Sequence, residues 1–319
     1  MMIVQYILVT LCLFVGLLLY FKIADKYNII DKPNQRSSHN YITIRGGGVV
    51  FFLAGLIYSL FHLPESLYFL IGLTLISGVS FWDDVSSLSN KVRIIIHFLS
   101  ISLVFYGLGL FGLLPWWLIM VAYVFFVGVL NAYNFMDGIN GITGLYSLAV
   151  LFSLRYVNSF VEFTNMTFID YAILSCLVFL FFNYRKKAKC FAGDVGSMAI
   201  SFWIVTLLLQ LMITTNSLIW ILFLAVYGID SAATIIHRLH LKQNIFEAHR
   251  LHFYQILSNE RGISHLKVSA IYAFVQLLIC GIISYAYFCC SSIVIWMIGV
   301  ILLLTLSIVY LQKFRLMQK

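Results

Sequence analysis

The sequence predicts an all-α polytopic membrane protein, with about eleven transmembrane helices and a polar site at the cytoplasmic face. Three observations predict it. The 319-residue chain is 62% hydrophobic and only 10% charged, outside the range of ordinary soluble domains. Its apolar runs recur at lengths near the ~20 residues that a bilayer requires. Its polar residues gather in short islands at the ends of those runs, on alternate connections. An ionised carboxylate is costly in an apolar solvent, so acids in such islands line polar cavities and carry function.

The elements follow in order. Met1 to Phe21 is apolar but lacks a basic start and a small-residue cleavage site, so 3–21 is read as the first span and not as a leader. Further spans are expected at 46–62, 67–82, 93–112, 116–130, 141–157, 167–183, 197–214, 217–236, 266–288 and 291–312. Gly, Asn, Asp or charged residues punctuate them. The connections 22–45, 83–92, 131–140, 184–196, 237–265 and 313–319 then all lie on one side. They hold nineteen of the twenty Lys and Arg residues, counting those at span boundaries, and Arg155 alone lies elsewhere. The basic side is normally cytoplasmic, so the N-terminus is expected outside and the motif face inside. An error in the span count would scatter these residues over both faces.

Topology therefore explains the net charge of +8, which also suits anionic lipid and phosphate. No basic-aromatic pattern suggests nucleic acid. None of the six cysteines forms paired CxxC units, which argues against a zinc site. Most lie in apolar runs, where Cys behaves as a small hydrophobe. No repeat or second soluble domain is visible, and 1–319 reads as a single integral membrane domain.

Five polar segments carry the chemistry. The first ends in Arg36-Ser-Ser-His39 and Arg45-Gly-Gly-Gly48. Glycines entering a helix let backbone amides approach an anion, with Arg45 as a cationic donor. The blander reading is close helix packing over small residues. The second begins with Asp83-Asp84 at a helix end, where mutual repulsion raises one pKa and suits a base, or where the pair helps hold a magnesium-phosphate group. The third spaces Asn131, Asn134, Asp137 and Asn140 by three, which groups them on one side of a helix, although Gly138 and Gly141 break it. The fourth runs through Arg185, Lys186, Lys187 and Lys189 to Phe191-Ala-Gly-Asp-Val-Gly-Ser197. Its acid, Asp194, sits at the mouth of the next helix, as magnesium prefers. Phe191 offers a face for stacking on a base. The fifth contains His249-Arg-Leu-His252, which suits phosphate recognition better than zinc, since no cysteine is near in sequence.

Together these segments resemble the polyprenyl-phosphate N-acetylhexosamine-1-phosphate transferases of glycosyltransferase family 4, and most nearly the O-antigen initiating bacterial enzymes. The resemblance runs from about Asp31 to His252, in order and on one membrane face. It implies that Asp83 and Asp84 activate the lipid phosphate or organise the metal, and that Asp137 belongs to the catalytic group. It implies Asp194 and Asn134 as Mg2+ ligands, with Mn2+ as a substitute. Phe191 would stack on uracil. Asn140, Asn131, Arg45 and Lys189 would contact substrate, and His249, Arg250 and His252 the diphosphate or sugar. Phe246-Glu-Ala-His-Arg-Leu-His-Phe-Tyr-Gln255 and Asp31-Lys-Pro-Asn-Gln-Arg-Ser-Ser-His39 match the O-antigen subgroup's loops. The segment before Phe191 lacks the proline that many members carry. The histidine loop differs from that of the peptidoglycan branch, which argues against a MurNAc-pentapeptide substrate.

The implied reaction transfers N-acetylhexosamine-1-phosphate (GlcNAc, QuiNAc or FucNAc type) from a UDP-sugar to undecaprenyl phosphate, releasing UMP. It would initiate O-antigen or other cell-envelope polysaccharide at the bacterial inner membrane, with a homodimer as one arrangement. A transporter of a nucleotide sugar or lipid-linked sugar is the rival reading, but transporters place their acids near the bilayer midplane at broken helices. The topology is directly testable. Tags near residues 87, 188 and 250 should report the cytoplasm, and tags near 64, 115 and 160 the opposite face. A single motif loop reporting outside would break the one-site reading.

Overall fold

Lipid supplies no partners for backbone N–H and C=O groups, so apolar runs must satisfy them internally as helices. A computed structural model describes residues 2–33, 38, 41–86, 88–244 and 250–317. Helix α1 (Met2–Lys26) leads into a two-residue hairpin, β1 (Ile30–Asp31) antiparallel to β2 (Thr43–Ile44). Then come α2 (Val49–Phe61), α3 (Leu67–Val85), α4 (Asn90–Gly107), the single turn α5 (Leu110–Leu113) and α6 (Trp116–Met136). They are followed by α7 (Ile142–Val161), α8 (Met166–Asn183) and α9 (Gly193–Thr215). A 3-10 segment (Leu218–Leu224) continues into α10 (Ala225–His240). After α11 (Phe253–Gln255) and a π-type turn come α12 (His265–Cys289) and α13 (Ser292–Met317).

Each expected span appears as a helix. Among the described residues, nine helices are long and apolar enough to cross a bilayer. Two of the eleven expected fall outside that group. Helix α2 has 13 residues, about 20 Å of rise, and α4 opens on the polar run Asn90-Lys91-Val92-Arg93. Side chains set the starts: Ser89 accepts from Val92 N at 3.5 Å to cap α4, and Asn165 accepts from Thr167 N at 3.0 Å to cap α8.

Helix α9 is the axis of the bundle. It packs against α2, α3, α6 and α7, and 89% of its apolar window is buried, against 11% for α13. A helix that is hydrophobic all round belongs inside, and Phe202, Trp203, Leu207 and Leu208 of α9 are wholly buried. Outer helices instead show rows such as Ile3, Ile7 and Leu11 of α1, as expected where lipid is the partner. Arg155, the basic residue that the one-sided distribution left over, bonds Asp170 at 2.6 Å. Tyr6 OH also donates to Asp170, at 2.6 Å, so this intramembrane charge is paired away from the motifs.

The starts of α2 and α9 touch through glycines. A methyl group at Gly48 would overlap Gly196 Cα and Ala192 O, and one at Gly196 would overlap Gly48 Cα. Both obstacles are backbone and cannot swing aside. Gly48→Ala should therefore sharply lower the yield and melting temperature of the folded protein in detergent. Gly78→Ala, in open space on α3, should change stability by no more than about 1 kcal/mol and leave the yield near wild type. Equal behaviour of the two variants would contradict the crossing.

Candidate active site

The first backbone amides of a helix have no partner within it and carry partial positive charge. At α9 this vacancy is filled by Asp84, in the last turn of α3. Asp84 accepts from Asp194 N and Val195 N, each at 2.9 Å. Arg45 Nε lies 2.6 Å from the same carboxylate, whose side chain is fully buried. Gly193 turns the chain into α9 at φ +72, a conformation that side-chain-bearing residues disfavour.

This junction aims Asp194. Its Oδ1 accepts from Asn134 Nδ2 at 3.0 Å and lies 3.6 Å from Arg45 Nη2. Its Oδ2 lies 3.8 Å from Arg93 Nη2. The neighbouring acid, Asp83, lies within hydrogen-bond reach of the Asp194 carboxyl, pairs with Arg93 Nη1 at 2.9 Å and accepts from Leu88 N at 2.8 Å. The adjacent aspartates thus occupy different environments, and each has its own arginine.

A cleft of about 240 Å3 opens beside Asp194. Six of the sequence-predicted residues line it: Arg45, Asn134, Asp137, Asn140, Phe191 and Asp194. Helix α6 ends at Met136, so the four evenly spaced polar residues do not share one helix face. Asn134 remains on α6, Asp137 follows its end and Asn140 lies in the bend beyond. Asn140 is buried and donates to Arg185 O at 2.8 Å and Tyr41 OH at 3.2 Å. Asn183 clamps the bend, accepting from Gly141 N at 2.7 Å and donating to Cys190 O at 2.8 Å.

Asp137 is half-buried in the cleft and accepts from Thr143 Oγ1 at 2.6 Å. Burial first, and then the like charges of Asp194 and Asp84, push its carboxyl up to about 7, against the opposing Thr143 hydrogen bond. A carboxyl poised there can exchange a proton near neutral pH.

Other expected residues sit elsewhere. The glycine amides that looked ready for an anion are taken, because Gly47 N donates to Phe191 O at 2.8 Å and Gly48 N to Ala192 O at 3.0 Å. Helix packing, not anion approach, accounts for these glycines. Asn131 donates to Val127 O of its own helix at 2.8 Å and does not line the cleft. Lys189 lies with its ammonium 5.2 Å from the Phe21 ring, in a separate groove with Leu18, Leu19 and Lys22. His252 is buried, with Nδ1 3.3 Å from Asp230. Arg250 begins that anchored turn. His249, Arg36 and His39 lie outside the described residues.

Several residues escaped the sequence reading. Asp31, Gln255 and His265 also line the cleft, Tyr41 and Asn183 brace it, and Asp230 holds the histidine turn. Asp31, Asn183 and His265 carried a visible signal as polar residues within motif loops, whereas Asp230 is a lone acid inside a span.

The donors present suit magnesium. Asp194 and Asp137 offer hard carboxylate oxygens to one cleft, and flipping the Asn134 amide would offer a third oxygen. Among the described residues no group of three His, Cys, Asp or Glu side chains is arranged as a cage. Magnesium keeps several waters and takes one or two protein carboxylates plus substrate phosphate oxygens.

A family model described as glycosyl transferase family 4 matches residues 66–212. The chain is 25% identical over 280 residues to an undecaprenyl-phosphate alpha-N-acetylglucosaminyl 1-phosphate transferase of Escherichia coli (strain K12), covering 78% of this chain and 75% of the relative. It is 29% identical over 278 residues to a probable undecaprenyl-phosphate N-acetylglucosaminyl 1-phosphate transferase of Bacillus subtilis (strain 168), covering 79% and 75%. It is also 29% identical over 196 residues to a phospho-N-acetylmuramoyl-pentapeptide-transferase of Petrotoga mobilis, covering 51% and 59%.

Asp137 gives a pH signature. Its folded pKa of about 7 exceeds the ordinary carboxylate value near 4, so the folded state binds the proton more tightly. The stabilisation is full below the unfolded value and is lost as pH rises through about 7. The melting temperature of the metal-free protein, relative to Asp137→Asn, should fall from about pH 5 to about pH 8 and then level. A flat difference would mean that Asp137 is ionised throughout.

Proposed function

We propose, for a chain that belongs to glycosyl transferase family 4, that it transfers N-acetylhexosamine-1-phosphate from a UDP-sugar to undecaprenyl phosphate, releasing UMP. The observation that carries this reading is Asp194. It stands at the mouth of the central helix, flanked by Arg45 and Arg93, in a cleft that Phe191 and Asn140 also line. The Escherichia coli and Bacillus subtilis relatives are named for this transfer with N-acetylglucosamine, which favours a GlcNAc-type donor. The basic motif connections favour a cytoplasmic site, where nucleotide sugars are found.

Phosphoryl transfer depends mainly on positioning and charge neutralisation. The phosphate oxygen of the lipid attacks the phosphorus next to the sugar, and the bond from that phosphorus to UMP breaks. Bound Mg2+ would supply charge neutralisation for the diphosphate. Asp194 is the carboxylate best placed to hold it, with Asn134 beside it. Arg45 and Arg93 each hold Asp194 only loosely, at 3.6 and 3.8 Å through Nη2, so these nitrogens can serve phosphate while Arg45 stays paired with Asp84 and Arg93 with Asp83. Asp137, poised near neutrality, is suited to take a proton from the lipid phosphate. Phe191 stacks on uracil, and Asn140 contacts it at the cleft wall. The product fits the first step of O-antigen or related envelope polysaccharide synthesis.

The test is UMP release by purified protein supplied with undecaprenyl phosphate, Mg2+ and a panel of UDP-sugars. Release should depend on the divalent ion and vanish in Asp194→Asn, which changes charge with little change in size. Phe191→Ala should raise KM for the UDP-sugar more than it lowers kcat, because stacking contributes about 1–3 kcal/mol to ground and transition states alike. Full activity in Asp194→Asn, or no UMP from any donor, would overturn the reading.

A further inference from the structure

Helix α10 carries a buried carboxylate that the proposed reaction does not use. Asp230 is 3% exposed, and a carboxylate taken out of water persists only when fully bonded. Its donors come from separate parts of the chain. Oδ1 accepts from Phe253 N at 2.9 Å and lies 3.3 Å from both His252 Nδ1 and Thr234 Oγ1. Oδ2 accepts from Tyr272 OH on α12 at 2.7 Å and from Tyr254 N at 3.4 Å. Thr234 in turn meets Tyr310 OH at 2.7 Å, which accepts from Lys313 Nζ at 2.6 Å on α13.

The turn gathered by Asp230 reaches the cleft in two ways. Tyr254 OH donates to Phe135 O at 3.0 Å, and it fills the space that a side chain at position 138 would need. Phe135 and Met136 end α6, and Asp137 and Gly138 follow directly, so the exit from α6 presents Asp137. Gln255, the next residue of the turn, lines the cleft, and its Oε1 accepts from His252 N at 3.3 Å. Tyr254 and Ile256 bury apolar surface in the core, but burial alone does not satisfy the amides of Phe253 and Tyr254 or the His252 ring, which need an acceptor inside the bundle. The carboxylate supplies a fixed point inside the bundle to which two of its amides and its histidine are tied.

We propose that Asp230 is a positioning residue for the transferase site. It pins the His252–Gln255 turn so that Tyr254 braces the bend carrying Asp137. Its kinetic consequence rests on the transferase reading, whereas the anchoring itself does not.

Two variants separate the links. Asp230→Asn keeps the size but removes the charge and one acceptor oxygen. Tyr254→Phe removes only the hydroxyl that reaches Phe135. Each should lower kcat roughly tenfold or more, on the scale of one lost hydrogen bond, with KM for the UDP-sugar nearly unchanged. The double variant should be no slower than the slower single variant, since both break one connection. Multiplicative losses, or a normal kcat in Asp230→Asn, would overturn the proposal.

Limited trypsin digestion in detergent micelles needs no turnover. Asp230→Asn should speed cleavage after Arg250 and Arg261 while leaving cleavage within 185–189 at the wild-type rate. Unchanged cleavage in that variant would overturn the anchoring even if transfer were never observed. If wild-type protein releases no UMP but the digestion shifts as expected, the transferase reading fails and the anchor stands. Should Asp230→Asn fail to fold, Tyr272→Phe removes one donor to the same carboxylate and should show the same selective pattern. Uniform faster digestion in Tyr272→Phe would overturn the proposal.

Discussion

The bond between the buried Asp84 carboxylate and the first amides of α9 is the constraint on which the site depends. A helix start inside a bilayer protein has amides that lipid cannot satisfy. Asp84 satisfies two of them from α3, and Arg45 balances its charge from the loop before α2. Three segments far apart in sequence are thereby locked within one hydrogen-bond radius. Asp194 is the second residue of that capped helix, so its direction follows from the cap.

Charge balance extends outward from the same point. Two arginines face three aspartates, with Arg45 shared between Asp84 and Asp194, and Arg93 between Asp83 and Asp194. Asp194 is the member of the cluster that both cations approach only loosely, at 3.6 and 3.8 Å. The proposed metal role draws on this looseness, since Asp194 can give up these contacts while its neighbours keep theirs. The glycine crossing of α2 and α9 sets how near Arg45 can come, because any side chain at Gly48 or Gly196 would spread the two helices.

Much of this was legible in the sequence because lipid is a strict solvent. Apolar length alone gave the helices, and polar islands at their ends gave Asp83, Asp84, Asn134, Asp137 and Asp194. The illegible parts share a physical cause: sequence spacing does not report side-chain direction outside regular structure. Lys189 belongs to the right loop but lies over Phe21. Asn131 has the right spacing but bonds its own helix. Gly46 to Gly48 read equally well as an anion cradle and as a packing surface, since both need the missing side chain. Asp230 is a solitary acid in an apolar run, and only the folded chain shows that residues 252–254 converge on it.

The central position of α9 also bears on how the protein is made. The chain enters the bilayer from its N-terminus, so α2 and α3 are in place before residues 193–215 emerge from the ribosome. Asp84 is then a carboxylate at a helix end awaiting amides 110 and 111 residues downstream. Joining ends so distant incurs a loop-closure entropy that grows only slowly with length, but no local contact can stand in for the missing partner. The site around Asp194 is therefore complete only once α9 has joined α3, and no earlier part of the chain can assemble it alone.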